Sequence, residues 1–385
     1  PKGQDGTKSF LFGNTFGIQA YIAPRSVLSA GVIANWYAAP QNGLTPLDAL
    51  STTLDKTSRR YFGYARNQIY FKDAFIDRID MGIGLFRSYA RETPQGRGVT
   101  RYFPDGRTGF GFQNIERKGG REEITASLVT RPFSLRPLKT LTGADLGTHR
   151  FAAGFSLNHI SLWQHADRTG YEHYRQNRTL ATRTVFASPR TFSGSTIEQG
   201  LYLQDTWIVR QWLVLGAGLR WDRDAFLQSS ALTQRFSGRA RLPWSGNATG
   251  RHAGYQTHLV AGFGWIPEKA NLRLFTRPED QAGILTSYAQ DGITPRMPPI
   301  MSMFAIGQGT VRMPKTTNFS AGIEQGLPYE MFLQINYLRK RSNHGYAYVP
   351  QSSAMPGTLP QGIVPEETGI ITYTLQNVKW EKCIK

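Results

Sequence analysis

Residues Gly200 to Asp222 read Gly-Leu-Tyr-Leu-Gln-Asp-Thr-Trp-Ile-Val-Arg-Gln-Trp-Leu-Val-Leu-Gly-Ala-Gly-Leu-Arg-Trp-Asp, two alternating runs about a turn at Arg210-Gln211. After the turn, Leu213, Leu215, Ala217, Leu219 and Trp221 share one face, and Val214, Gly216, Gly218, Arg220 and Asp222 share the other. A period of two means an extended strand, whose successive side chains point to opposite sides. An oily face backed by small and charged residues suits a strand with hydrocarbon outside and water or a plug inside.

The same pattern recurs along the chain. Ile79, Met81, Ile83 and Leu85 oppose Arg78, Asp80, Gly82, Gly84 and Phe86, and Phe151, Ala153, Phe155 and Leu157 form another oily row. Alternation predicts strands at 27–38, 59–72, 75–89, 108–116, 123–133, 150–163, 171–186, 196–209 and 212–224. It predicts two later hairpins, 258–266 with 271–277 and 317–325 with 330–340, and a strand-like stretch at 370–379. No 3.6-residue stripe of helical length stands out. The run Trp212 to Asp222 extends roughly 36 Å at about 3.3 Å per residue. Tilted by about 40°, it covers roughly 28 Å, enough for the ~25 Å apolar band of an outer-membrane barrel. From Thr196 on, connections alternate short and long: Arg210-Gln211, then 225–257, 267–270, 278–316 and 326–329.

Gly82, Gly84, Gly216, Gly218, Gly262, Gly264 and Gly322 all lie opposite an oily face. A water-exposed sheet surface favours Thr, Lys or Glu there, because glycine weakens an exposed strand. The glycines therefore favour a crowded barrel interior over a soluble sandwich. The reading is all-β: an antiparallel, up-and-down transmembrane β-barrel, represented by roughly 12–15 strands of a larger one.

Composition agrees. Of 385 residues, 40 are Gly, 12% are aromatic and 19% are charged. That mix suits strands, tight turns and interface belts. No run of about 18 apolar residues is present to form a transmembrane helix. A barrel strand needs none, so the mean hydropathy of −0.38 does not speak against a membrane. The formal charge of +18 comes mostly from Arg at strand ends and in expected loops. It points to solvated loops and lipid headgroups; no stacking platform suggests nucleic acid. The single cysteine, Cys383, forms no internal disulfide, and no zinc-ligand spacing occurs. The first residues contain no apolar export segment, so the chain reads as beginning inside a longer polypeptide.

The motifs resemble those of the barrel of TonB-dependent outer-membrane receptors, nearest to the Oar-like group with a carboxypeptidase-regulatory-like domain. Leu201-Tyr-Leu-Gln-Asp-Thr-Trp207 is similar to the family's aromatic-Ala-Gln-Asp-x-Trp strand. Leu213-Val-Leu-Gly-Ala-Gly-Leu-Arg-Trp-Asp222 is similar to its Leu-x-Leu-x-x-Gly-Leu-Arg-Tyr-Asp strand. His149-Arg-Phe-Ala-Ala-Gly154 resembles the strand that precedes a long outer loop, and Thr317 to Glu324 with Phe332 to Arg339 and Ser342-Asn-His344 resembles the family's late hairpin. The match covers roughly residues 150–349. The resemblance implies that 1–385 is a segment of one barrel domain, with the plug and the C-terminal strands outside it. It implies import of a solute, not identified by the sequence, across the cell outer membrane of a Gram-negative-type bacterium. TonB, ExbB and ExbD would supply energy through the N-terminal region, and outer-membrane lipid or lipopolysaccharide would surround the wall.

Expected lumen-facing residues are Arg78, Asp80, Gln204, Arg220, Asp222, Glu324, Gln334 and Asn336. They would contact a plug or polar solute, or pair with one another to satisfy buried charge. Expected lipid-facing or belt residues are Trp163, Trp207, Trp212, Leu213, Leu215, Leu219, Trp221 and Trp265. Ligand capture is expected in the loops 225–256 and 278–315. His165 and His173, near Tyr171 and Tyr174, read as loop decoration and not a metal site. No cofactor motif, nucleophilic triad or paired-carboxylate site is present, so no enzymatic activity is expected. A structural or adhesive barrel and a soluble all-β binding module remain as alternatives.

Overall fold

The computed structural model describes residues 9–42, 53–96, 98–105, 108–109, 113–134, 147–187, 189–242, 257–269, 271–276, 282–306, 311–327, 331–343, 345–351 and 369–378. Its strands in chain order are β1 (Phe10–Ala23), β2 (Ser26–Asn42), β3 (Leu54–Tyr70), β4 (Ile76–Pro94), β5 (Thr100–Tyr102), β6 (Thr108–Gly109) and β7 (Gln113–Thr130). There follow β8 (Thr148–Arg168), β9 (Tyr171–Tyr174), β10 (Leu180–Phe186), β11 (Arg190–Arg210), β12 (Leu213–Asp224), β13 (Ser229–Arg241) and β14 (Thr257–Pro267). The last are β15 (Gly283–Ser287), β16 (Ile300–Ile306), β17 (Lys315–Gly326), β18 (Phe332–Asn343), β19 (Gly345–Gln351) and β20 (Gly369–Val378). A short 3-10 helix occupies Leu272–Thr276.

Twelve long strands form one antiparallel wall in the order β1-β2-β3-β4-β7-β8-β11-β12-β13-β14-β17-β18. β1 and β18 are its two edges. The other eight strands form a second sheet, β19-β20-β16-β15-β10-β9-β5-β6. Among the described residues, parallel pairing occurs only there, between β16 and β20 and between β5 and β9. Six of the eight strands of the second sheet come from connections at one end of the wall, between β4 and β7, β8 and β11, and β14 and β17; β19 and β20 follow β18. The opposite end carries the tight turns 24–25, 71–75 and 211–212, and there the Leu327 amide donates to the Met331 carbonyl between β17 and β18. Long connections face outward and tight turns inward in outer-membrane barrels, which orients the wall.

The wall inverts the soluble arrangement. On β12, Asp222 is 1% exposed and Asp224 is fully buried, while Leu219 on the other face is 48% exposed. Its partner on β11, Leu203, is likewise exposed. A soluble sandwich would bury those leucines together, so the soluble-module alternative fails on this observation. The apolar cores lie elsewhere. Leu162, Leu227, Leu272, Phe275, Val311 and Leu375 cluster where the second sheet and the 3-10 helix cover the outer end of the wall's inner face. Phe226 meets Phe275 edge-on, with ring centroids 4.6 Å apart.

Several expectations need correction. The expected loop 225–256 contains β13, joined to β12 by the tight turn 225–228. Length alternation therefore fails. The rest of that loop, 243–256, lies outside the described residues. Residues 271–276 form no strand; β14 pairs with β17 instead, across the excursion that holds the 3-10 helix. Residues 113–116 and 123–130 belong to one strand, β7, because Gly119 and Gly120 stay extended against β4 and β8, while 108–109 form β6 in the second sheet. The expected strand 171–186 is two, both in the second sheet. No expected strand covers β1, although Phe12, Phe16 and Ile18 alternate onto one face. The stretch near 370 is a strand, β20, outside the wall. Cys383 lies outside the described residues.

Candidate functional site: the two faces of the wall

The inner face is organised around carboxylates. Asp80 is buried and accepts hydrogen bonds from Gln68 Nε2 (2.7 Å), Arg78 Nε (2.9 Å) and Arg66 Nη2 (3.1 Å). Asp222 takes both Nε and Nη2 of Arg220 at 2.8 Å. These two stand two residues apart on one strand, so their side chains lie along the same face. Gly200 sits directly across from Asp222. A Cβ there would come within 2.7 Å of Arg220 Nη2, so only glycine lets the guanidinium lie over β11. Asp224 accepts from Thr196 Oγ1 (2.8 Å) and from the amides of Phe226 (2.9 Å) and Leu227 (3.2 Å), fastening the β12–β13 turn. Glu198 accepts from Lys269 Nζ at 2.7 Å, which ties the excursion after β14 back to the wall. Glu324 accepts from Arg239 Nη2 at 2.9 Å. A charge withdrawn from water is tolerable only with such partners.

Arg78 with Asp80 and Arg220 with Asp222 thus meet as pairs, whereas Glu324 meets a cation on β13. Gln334 and Asn336 lie on the inner side of the edge strand β18, across from Glu324 and Gly322. Gln204 lines a groove of about 600 Å³ on β11–β14 and β17. Its floor is Gly216, Gly218, Gly262 and Gly264, and its rim includes Arg220, Arg235, Ser237, Asn318 and Ser320. Arg235 is exposed there. Among the described residues no ion pair is formed by it. It was missed because β13 passed for a loop. The alternation Leu232, Phe236, Ala240 against Thr233, Arg235, Ser237 and Arg239 was the available signal.

Beneath the second sheet the charge balance tilts positive. Burial lowers the Arg273 guanidinium below its ordinary pKa, and the charges of Arg117 and Arg60 lower it further, opposed by Glu92. In the second sheet, Glu172 is buried and accepts from Arg101 Nε (3.3 Å) and Tyr174 Oη (2.8 Å). Burial, then that hydrogen bond, raises the Tyr174 phenol. Tyr102 stacks on His173 with centroids 4.9 Å apart. Arg175 donates to the carbonyls of Leu180, Tyr288 and Ala289, clasping β10 to the 288–296 turn. Asn177 Oδ1 accepts from the Thr179 amide at 3.1 Å, closing the turn before β10.

The outer face carries Leu213, Leu215, Leu219 and Trp221 on β12, Trp207 on β11, Trp163 on β8 and Trp265 on β14; Trp212 stands exposed in the adjoining turn. Trp207 stacks on His149 at the tight-turn end, with centroids 5.5 Å apart. At the loop end Lys118 Nζ sits 4.7 Å from the Trp163 ring. Two histidines bracket the oily row of β8. His149 Nδ1 donates to Asp205 Oδ2 at 2.7 Å, and His159 Nδ1 donates to Glu122 Oε2 at 3.3 Å. Between them, on the same face, stand only Phe151, Ala153, Phe155 and Leu157. His165 also lies on this face and contacts Thr191 Oγ1 at 2.9 Å. Among the described residues no helix is long and apolar enough to cross a membrane, and no three His, Cys, Asp or Glu side chains could hold a metal ion.

No protein-family model matches the chain, and no curated protein matches it in sequence. Solved structures do match in fold. The outer membrane transporter YddB from Escherichia coli aligns with a TM-score of 0.63 at 12% identity, over 96% of this chain and 43% of its own. The siderophore receptor PirA from Acinetobacter baumannii aligns at 0.61 and 11% identity, over 97% of this chain and 49% of its own. A mutant of the ferric enterobactin receptor PfeA from Pseudomonas aeruginosa aligns at 0.59 and 13% identity, over 98% and 49%. The chain therefore has the fold of part of an outer-membrane receptor barrel, and spans about half the length of the structures it matches. The fold expected from the strand motifs is borne out.

Proposed function

We propose that this chain forms the wall and outer cover of an outer-membrane receptor that admits a solute, with no enzymatic role. One observation carries the reading: buried carboxylate–arginine pairs line the face that a folded outer sheet covers, while leucines stand exposed on the other. Support comes from the fold, shared with a transporter and siderophore receptors of the outer membrane. The glycine-floored groove, with Gln204, Arg235 and Asn318 at its rim, is the proposed contact surface for a plug or passing solute. Coupling to TonB, ExbB and ExbD, through sequence preceding this segment, is part of the same proposal.

The test is uptake. A cell displaying the complete receptor is given labelled solutes, with and without an inner-membrane proton gradient. Import that stops when the gradient is dissipated, and falls severalfold in Gln204→Ala with Arg235→Ala, supports the proposal. Correct surface insertion with no gradient-dependent import of any solute favours a structural or adhesive barrel.

A further inference from the structure

The outer face of β4, β7, β8 and β11 holds a cleft that the lumen reading does not use. It has a volume of about 490 Å³ and lies where Gly120, Ser161 and Ser195 form one cross-strand row. Arg87, paired with Gly120, and Lys118, paired with Trp163, stand at its rims. Its depth in the membrane can be read from β8. The oily row ends at Leu157, and the His159–Glu122 row is the first polar one beyond it. The cleft's row is one further, about 7 Å along the strand, which puts it among lipid headgroups and not acyl chains.

The charges are fixed in place. Arg87 Nη2 donates to Glu122 Oε1 at 2.6 Å, and Lys118 Nζ lies 3.2 Å from Glu116 Oε1 while resting over the Trp163 ring. Arg59 and Arg91 add two exposed cations on the same face, Arg59 packed over Trp36 at 5.0 Å. The cations thus outnumber Glu116 and Glu122. Small residues at the floor leave hydroxyls open: Ser161 is half-buried and Ser195 is exposed. A Cβ on Gly120 would press within 2.8 Å of both Arg87 Nη1 and Ser161 Oγ, so glycine keeps the cleft open between them.

We propose that this cleft binds the phosphorylated headgroup of an outer-leaflet glycolipid, with Arg87 and Lys118 meeting phosphate and the serine hydroxyls meeting sugar or phosphate oxygen. The proposal rests on the membrane reading above but not on solute import.

The experiment uses the complete receptor in detergent, and counts bound lipid by native mass spectrometry. The probes are lipid A carrying both phosphates, the same lipid stripped of phosphate, and inorganic phosphate. Binding of the phosphorylated lipid is expected to exceed that of the stripped lipid severalfold. It should fall about fivefold for each cation removed in Arg87→Gln and Lys118→Gln. Arg210→Gln, at the tight-turn end, should leave it unchanged. Ser161→Leu fills the cleft without altering charge and should lower binding by about fivefold or more; it stands in if the charge variants do not fold. Equal binding by the Gln variants and by Ser161→Leu, or equal binding of stripped lipid, overturns the proposal. Displacement of lipid by inorganic phosphate alone would reveal a simple anion site and overturn it too. A chain that folds without detergent would instead sink the membrane reading itself.

Discussion

The wall and the outer sheet are built from one chain by opposite rules. The wall buries carboxylates and arginines on its inner face and turns leucines outward. The outer sheet and its 3-10 helix bury Phe275, Leu272 and Leu375 in the ordinary soluble manner. The difference lies in what each touches. Water and hydrocarbon exchange places across the wall, so its polarity inverts, while the outer sheet has water around it and must make its own dry centre. Each region should therefore fail to a different substitution.

The largest effect is expected in the outer sheet. Phe275 is 1% exposed, and Phe275→Ala should destabilise that region by about 3–5 kcal/mol. Hydrogen exchange should show the outer sheet opening while the wall stays protected; simultaneous loss of both would mean they fold as one unit. Next is the wall. Leu203→Arg puts a charge on the outward face and should cost about 2–4 kcal/mol of folding into lipid, measured by denaturant titration in vesicles. An unchanged midpoint would mean that Leu203 does not face hydrocarbon.

A smaller effect of opposite sign is expected at Tyr346. Its hydroxyl is buried and lacks a hydrogen-bond partner among the described residues. Burial, then the carboxylates of Asp224 and Glu268, raises the phenol well above its ordinary pKa, so it stays neutral. Tyr346→Phe should stabilise the outer sheet by about 1 kcal/mol; a loss of stability would reveal a bond the hydroxyl makes. The smallest effect concerns acid. Asp291 is held below its ordinary pKa by the Thr294 hydroxyl and then the amides of Ile293 and Thr294. A depressed carboxylate lends stability above its unfolded value, near 4, and loses it as pH falls through the folded one. Exchange of the Ile293 and Thr294 amides should therefore quicken only in acid, and Asp291→Asn should flatten that response.

The wall was largely legible because alternation is local: each of β4, β8, β11 and β12 states its two faces in its own residues. β13 was not, since Arg235, Arg239 and Arg241 look like loop charge until their inward side is known. The partner of β14 could not be read either. It lies beyond a long excursion, and nothing local distinguishes β17 from the stretch just after β14. The outer sheet was almost invisible, being made of short strands whose pairing is set by tertiary contact. At the inner face, Arg220 with Asp222 and Arg78 with Asp80 could be proposed as pairs from spacing alone. The tie from Glu198 to Lys269, and the glycine that admits Arg220, needed the register.

β8 also carries its own ruler. His149 and His159 are ten residues apart on one face, each tethered to a carboxylate of a neighbouring strand. At about 3.3 Å per residue and a tilt near 40°, the rows they mark stand roughly 25 Å apart in height. A film of that hydrophobic thickness meets the protein without deformation. A thicker one would have to pinch around it or drag a tethered carboxylate into oil, so the strand carries a physical preference for thin bilayers.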